Sequence, residues 1–181
     1  MRRNDRPGRR PLPPLDSARL ERLALRYVER FATTRGKLAV YLARKVRERG
    51  WEGEAADPVA IAERFAELGY VNDRIYAESK ASAMARRGLG ARRVNDALRH
   101  AGVQEGDTAE ITPQIAERTN ETALAFARKR RIGPFAEVQA DRAMITKHVA
   151  AMVRAGHSPD LAWKIARMEP GESVEPLLDA D

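Results

Sequence analysis

The chain has 181 residues, 43% of them apolar and only 6% aromatic, and carries a formal net charge of +7. It has no cysteine, which excludes disulfides and thiolate zinc sites, and no run approaches the roughly 18 apolar residues of a membrane span. No basic start followed by an apolar leader opens the chain. Few aromatics and frequent alanine favour close-packed helices over a β-sandwich, so a soluble, cytoplasmic, all-helical protein is expected.

Residues 1–16 read as a disordered basic arm: the first fifteen hold five arginines and four prolines and show no apolar periodicity. Asp16 or Ser17 then caps a first helix with Leu20, Leu23, Tyr27 and Phe31 at three- and four-residue steps. Thr33 and Thr34 start a second helix through Leu38, Leu42 and Val46 to Gly50. A third runs from Pro58 through Ile61, Phe65 and Leu68 to Gly69. After Asn72 and Asp73 comes a helix with Ile75, Tyr76 and Met84, broken at Gly88-Leu89-Gly90. The next passes Val94 and Leu98 to Gly102, and another starts at Pro113, running on or bending near Asn120 into a helix with Leu124 and Phe126 that stops at Gly133-Pro134. A helix with Met144, Ile145, Val149 and Met152 leads to Gly156, and the last follows Pro159 to Met168. From Glu169 onward the acidic tail is expected to fray.

A repeated punctuation organises these nine expected helices. Gly50, Gly102 and Gly156 are followed by Asp57-Pro58, Thr112-Pro113 and Ser158-Pro159, and then by Ile61-Ala62-Glu63-Arg64, Ile115-Ala116-Glu117-Arg118 and Leu161-Ala162-Trp163-Lys164. Glycine ends a helix because it alone takes a left-handed conformation cheaply, and a capping oxygen ahead of proline starts the next. The glycines lie 52 and 54 residues apart, near the spacing of repeat arrays. The expectation is an elongated, curved array of three tandem three-helix repeats, 17–71, 72–119 and 120–168, followed by a flexible acidic tail at 169–181. Function is then sought on an extended surface.

Charge alternates along this array. Residues 86–100 and 123–135 are each strongly basic, whereas 51–85, 101–122 and 169–181 are acidic. Recurrent basic blocks suit a polyanion or an acidic groove; the alternative is that a charged helical protein merely solvates its outer faces. Arg86-Arg87 and Arg92-Arg93 bracket the glycine break, so both pairs are placed to converge on one concave edge. Arg128, Lys129, Arg130 and Arg131 are four consecutive cations at a helix end, wrapping one turn on all sides. A helix dipole needs fewer.

Catalytic signals are missing. His100, His148 and His157 are far apart and in no ligand spacing, and interaction with helix C-termini suffices for His100 and His157. Gly88-Leu89-Gly90 lacks the third glycine, the Lys-Ser/Thr and the preceding strand of a phosphate loop. No serine sits in a nucleophile elbow. Trp51 and Trp163 read as packing residues. No enzyme, cofactor or metal site is expected.

Leu68-Gly69-Tyr70-Val71-Asn72-Asp73, then Tyr76-Ala77-Glu78-Ser79, Arg86-Arg87-Gly88-Leu89-Gly90-Ala91-Arg92-Arg93-Val94, Leu98 and Ala101-Gly102-Val103 resemble the central signature of the RecX family of bacterial regulatory proteins. Weaker agreement extends over residues 20–168, including Ser158-Pro159-Asp160-Leu161. The resemblance implies an all-helical chain of three-helix repeats that binds the RecA recombinase, lies in the groove of its filament on DNA, and restrains filament growth, ATP hydrolysis and strand exchange in DNA repair and recombination. It also implies weaker contacts with single- or double-stranded DNA, no cofactor and no catalytic residue; a monomer is expected. Arg86, Arg87, Arg92 and Arg93 match the signature's basic positions and become the leading contacts, with Arg128 to Arg131 matching a less defined basic stretch. Asn72 stands where the family usually has an acid, yet still caps a helix. Ala39, Val40 and Tyr41 occupy a stretch that is commonly basic, and Arg44, Lys45, Arg47 and Arg49 are placed to supply that charge one turn later. A nonspecific nucleic-acid-binding helical protein without RecA dependence is the second reading, and a helical adaptor for some other acidic protein the third.

Overall fold

The computed structural model describes residues 13–179, which are all-helical apart from one isolated parallel bridge between Leu15 and Trp51. The chain divides into two compact units, Met1–Asn72 and Asp73–Asp181. Residues 72–119 and 120–168, read from sequence as separate repeats, therefore fall essentially within one unit. Among the described residues no helix is long and apolar enough to cross a membrane.

The first unit contains α1 (Ser17–Val28), α2 (Arg35–Arg49) and α3 (Pro58–Glu67). Each start is capped by the short polar side chain that precedes it: Asp16 accepts from the Arg19 amide, Thr34 from Lys37 and Asp57 from Ala60. These caps satisfy N–H groups that have no partner inside the helix. The apolar stripes meet in a core of Leu20, Ala24, Leu38, Leu42, Ala62 and Phe65, joined by Leu15 and Val71. Leu15 corrects the reading of the basic arm. Its amide donates to Gly50 O at 3.0 Å, the Glu52 amide donates to Leu15 O at 2.8 Å, and its side chain is fully buried. The chain is thus anchored from residue 15, and the arm expectation for residues 1–12 lies outside the described residues.

The second unit runs α4 (Asp73–Arg86), α5 (Ala91–His100), α6 (Glu105–Thr108), α7 (Ile111–Glu117), α8 (Thr119–Arg130), a 3₁₀ turn (Gly133–Phe135), α9 (Arg142–Arg154), α10 (Pro159–Arg167) and α11 (Glu175–Leu178). One core gathers Ala77, Met84, Val94, Leu98 and Ile111; another gathers Leu124, Ile132, Val149, Met152, Ile165 and Leu177. Ser158 caps α10 through the Leu161 amide with Pro159 in the first turn, as its sequence suggested.

Three local expectations differ. Thr112 is no cap: α7 begins at Ile111, and the Thr112 hydroxyl donates back to Thr108 O at 2.9 Å. That is the helix-interior habit of threonine competing with its capping habit. The helix α8 ends at Arg130, with Arg131 itself in the left-handed conformation at φ 53°, instead of running to Gly133-Pro134. The tail does not simply fray, because Leu177 is only 3% exposed within the second core and the Gly171 amide donates to Pro134 O.

Leu15→Ala removes a fully buried side chain next to the α2–α3 connection and should destabilise the protein by about 2–5 kcal/mol. Chemical denaturation monitored by helicity reads this directly; a surface-arm leucine would change it by less than about 0.5 kcal/mol.

Candidate functional site

The four leading arginines flank a turn that is held by backbone. At Gly90 the amide donates to Ala155 O at 3.0 Å, and the Arg92 amide donates to Gly156 O at 3.3 Å, so the α4–α5 turn and the α9–α10 turn meet main chain to main chain. A Cβ on Gly90 would lie 2.4 Å from Gly156 O. One on Gly156, whose φ is +100°, would lie 2.6 Å from Arg93 N and Cβ. Only residues without side chains allow this approach. Gly88 presses equally close to α8, where an added Cβ would stand 2.7 Å from the Phe126 amide nitrogen. The Gly88-Leu89-Gly90 segment is therefore a packed corner, not the flexible break that its glycines suggested.

His157 closes the corner from below. Its side chain is 4% exposed, its Nε2–H donates to Gly88 O at 3.0 Å, and its ring lies 5.7 Å from that of Phe126. A carbonyl only accepts, so the proton sits on Nε2 and leaves Nδ1 as an acceptor with no partner among the described residues. Burial lowers the His157 pKa from the usual 6.5, and the Gly88 carbonyl opposes that shift. His148 is also lowered by burial. Of the sequence expectations for histidine, His100 is met: its Nδ1 lies 2.7 Å from Asp96 O in the last turn of α5. His157 instead bonds across 69 residues. The unusually short spacing from Gly156 to Pro159 was its one visible signal.

Around this corner the side chains of Arg86, Arg87, Arg92 and Arg93 are all exposed. Among the described residues none of the four pairs with a carboxylate. Arg99 contacts Asp96, Arg74 bridges Glu78 and Glu110, and the neighbouring acids are thereby occupied. Cations without protein partners are the ones free to meet an external anion.

The four-cation run does not act as one group. Lys129 reaches back to donate to Arg86 O at 2.9 Å, which places it at the last turn of α4 beside the corner, and Arg130 lies 5.8 Å over the Phe126 ring. Arg128 lies 4.8 Å over Phe135, and Arg131 pairs with Glu137 at 2.8 Å. The turn of α8 that carries them sends two toward the corner and two toward the 3₁₀ segment. Arg44 and Lys45 belong to the other unit. Both lie 5.8 Å from the Tyr41 ring, and both are held by Glu48, at 3.7 and 2.6 Å. The Lys45 hydrogen bond in turn lowers the Glu48 pKa.

The exposed corner residues coincide with the motif that carries the family resemblance, and whole-chain similarity agrees. The chain is 32% identical over 163 residues to Regulatory protein RecX of Myxococcus xanthus, an alignment that covers 83% of this chain and 86% of that protein. Regulatory protein RecX of Thermobifida fusca is 30% identical over 181 residues, covering 96% and 91%, and that of Agrobacterium fabrum is 29% identical over 163 residues, covering 87% and 86%. The chain belongs to the RecX family of regulatory proteins. No protein-family model matches it, and no solved structure matches it. In this RecX-family chain the family signature and the glycine corner are the same residues, so the signature has a packing role as well as a charged surface.

Two measurements test the corner. Gly90 has φ −77°, which any residue adopts, so Gly90→Ala isolates the clash with Gly156 and should cost more than about 2 kcal/mol. Gly106→Ala in α6, where the backbone is helical and no atom lies within 4 Å of the added carbon, should instead leave stability unchanged or raise it by up to about 1 kcal/mol. Stability should also depend on pH in a defined direction. Above about pH 6.5 His157 and His148 are neutral folded and unfolded; as the pH falls below it, the unfolded chain takes up protons that the buried rings resist. Stability should therefore be full above about pH 6.5, decline below it, and flatten once the folded rings protonate. His157→Gln, whose amide can still donate to Gly88 O, should make the decline shallower.

Proposed function

We propose that this chain is a negative regulator of the RecA recombinase, acting as a cytoplasmic monomer that sets the arginine corner of its Asp73–Asp181 unit against the RecA filament on DNA. In doing so it restrains filament growth, ATP hydrolysis and strand exchange. Family membership supports the regulatory role. The observation that carries the contact surface is the set of Arg86, Arg87, Arg92 and Arg93, exposed and without carboxylate partners among the described residues, on a turn that main-chain packing holds still.

Rigidity matters to this reading. A cation on a mobile loop loses conformational entropy when it binds, whereas one on a packed turn has already lost it on folding. Lys129 and Arg130 extend the surface from α8. Arg128 and Arg131 contribute less, since their contacts are with Phe135 of the 3₁₀ segment and with Glu137 beyond it, away from the corner.

RecA ATPase on single-stranded DNA, titrated with the protein, tests the proposal. Inhibition is expected, and none at any stoichiometry would sink the regulator. Changing Arg86, Arg87, Arg92 and Arg93 to Glu should raise the protein concentration for half-inhibition by at least about tenfold while helicity is unchanged, a loss of about 1.4 kcal/mol or more. A nonspecific DNA binder would instead lose its effect with rising salt, with a slope of about 0.7–0.9 per neutralised phosphate, whichever recombinase is present.

A further inference from the structure

Three aromatic rings in the Met1–Asn72 unit take no part in the arginine corner. Tyr27, in the last turn of α1, stacks on Tyr41 of α2 with centroids 4.2 Å apart and planes 20° apart. Phe31, just beyond α1, leans on Tyr27 at 5.2 Å and 47°. Arg44 and Lys45 stand over Tyr41 at the other end of the row. The row thus leads from a pair of cations to an open ring.

Packing accounts for two of the three. Tyr27 and Tyr41 are half-buried against the first core, but Phe31 is 55% exposed and is not among the residues packed on it. A phenyl ring held by aromatic contact on one side and open to water on the other is a poor contributor to stability. The rings of the second unit differ, because Arg128, Arg130 and Arg167 lie over Phe135, Phe126 and Trp163. Phe31 is thus an aromatic surface held in place, at the opposite end of a three-ring row from the two cations at Tyr41.

We propose that Phe31, backed by Tyr27 and Tyr41, is a stacking platform for an unpaired base of single-stranded nucleic acid, with Arg44 and Lys45 taking adjacent phosphates. Every base presents a π-face, and aromatic rings beside cations bind single strands without reading sequence. In a duplex those faces are covered by neighbouring bases, so the platform discriminates single strands from double. An apolar protein partner would fit the ring but would leave the cations unused. The exposed ion pairs with Glu48 are no obstacle, since such pairs contribute little and a phosphate offers stronger, charge-assisted bonds in exchange. The proposal deepens the nucleic-acid side of the proposed function and rests on it only there.

The test uses the full-length protein without RecA. Anisotropy of labelled oligothymidylate, against a duplex of equal length at one fixed salt concentration, gives the two affinities. Phe31→Ala should weaken oligothymidylate binding about tenfold and leave duplex binding unchanged, with Phe31→Trp restoring it. Glu48→Gln, which frees the two cations, should strengthen oligothymidylate binding. Ultraviolet crosslinking should mark the tryptic peptide that begins at Phe31 and ends at Arg35. The platform is overturned if Phe31→Ala binds oligothymidylate like the unaltered chain, if single-strand and duplex affinities fall together, or if crosslinks avoid that peptide. Retained single-strand stacking without RecA inhibition would keep the platform and dismiss the regulator.

Discussion

The second unit depends on a backbone-to-backbone approach that no side chain can replace. The Gly90 and Arg92 amides at the α4–α5 turn donate to Ala155 O and Gly156 O of the α9–α10 turn. Distances of 2.4–2.6 Å from the missing Cβ positions leave no room for alanine. Several other contacts of that unit gather at this point. His157 hangs beneath it on Gly88 O, Phe126 packs against both, and Lys129 closes the end of α4.

The same contact decides what kind of surface the arginines make. Four guanidinium groups on a loose loop would sample many directions, and their charge would be averaged over them. Here the main chain between them is clamped on two sides, by α8 and by the α9–α10 turn, so the charge has a fixed origin even though each side chain ends in water. A buried neutral histidine under a basic surface is consistent with this design, because burial favours the uncharged ring.

The first unit solves a different problem with different means. Its three helices are started by Asp16, Thr34 and Asp57, and its core is sealed at one end by Leu15 pairing along Gly50 and Glu52. Its Arg44 and Lys45 on α2 are paired with Glu48 and lie over Tyr41, so an external anion must displace a weak surface pair there, unlike at the corner. Equal arginine content in two segments therefore means unequal availability. Nearby carboxylates and rings make the difference.

Local chemistry was legible from the sequence. Helical periodicity, the Asp57-Pro58 and Ser158-Pro159 starts and the glycine stops depend on interactions within a few residues, and they place the all-helical class and most element boundaries. The family signature and its arginines were legible too, as residue identities in order. What only the tertiary structure decided is which glycines are close contacts and which stand in open space, since a close approach depends on a distant chain segment, some 65 residues away for Gly90. It also separated Lys129 and Arg130 from Arg128 and Arg131, buried Leu15 and Leu177, and turned His157 from a helix-end residue into a cross-turn strut. Spacing along the chain carries local bonds. Contacts between distant turns leave no period in the sequence, and those contacts decide which charges remain free.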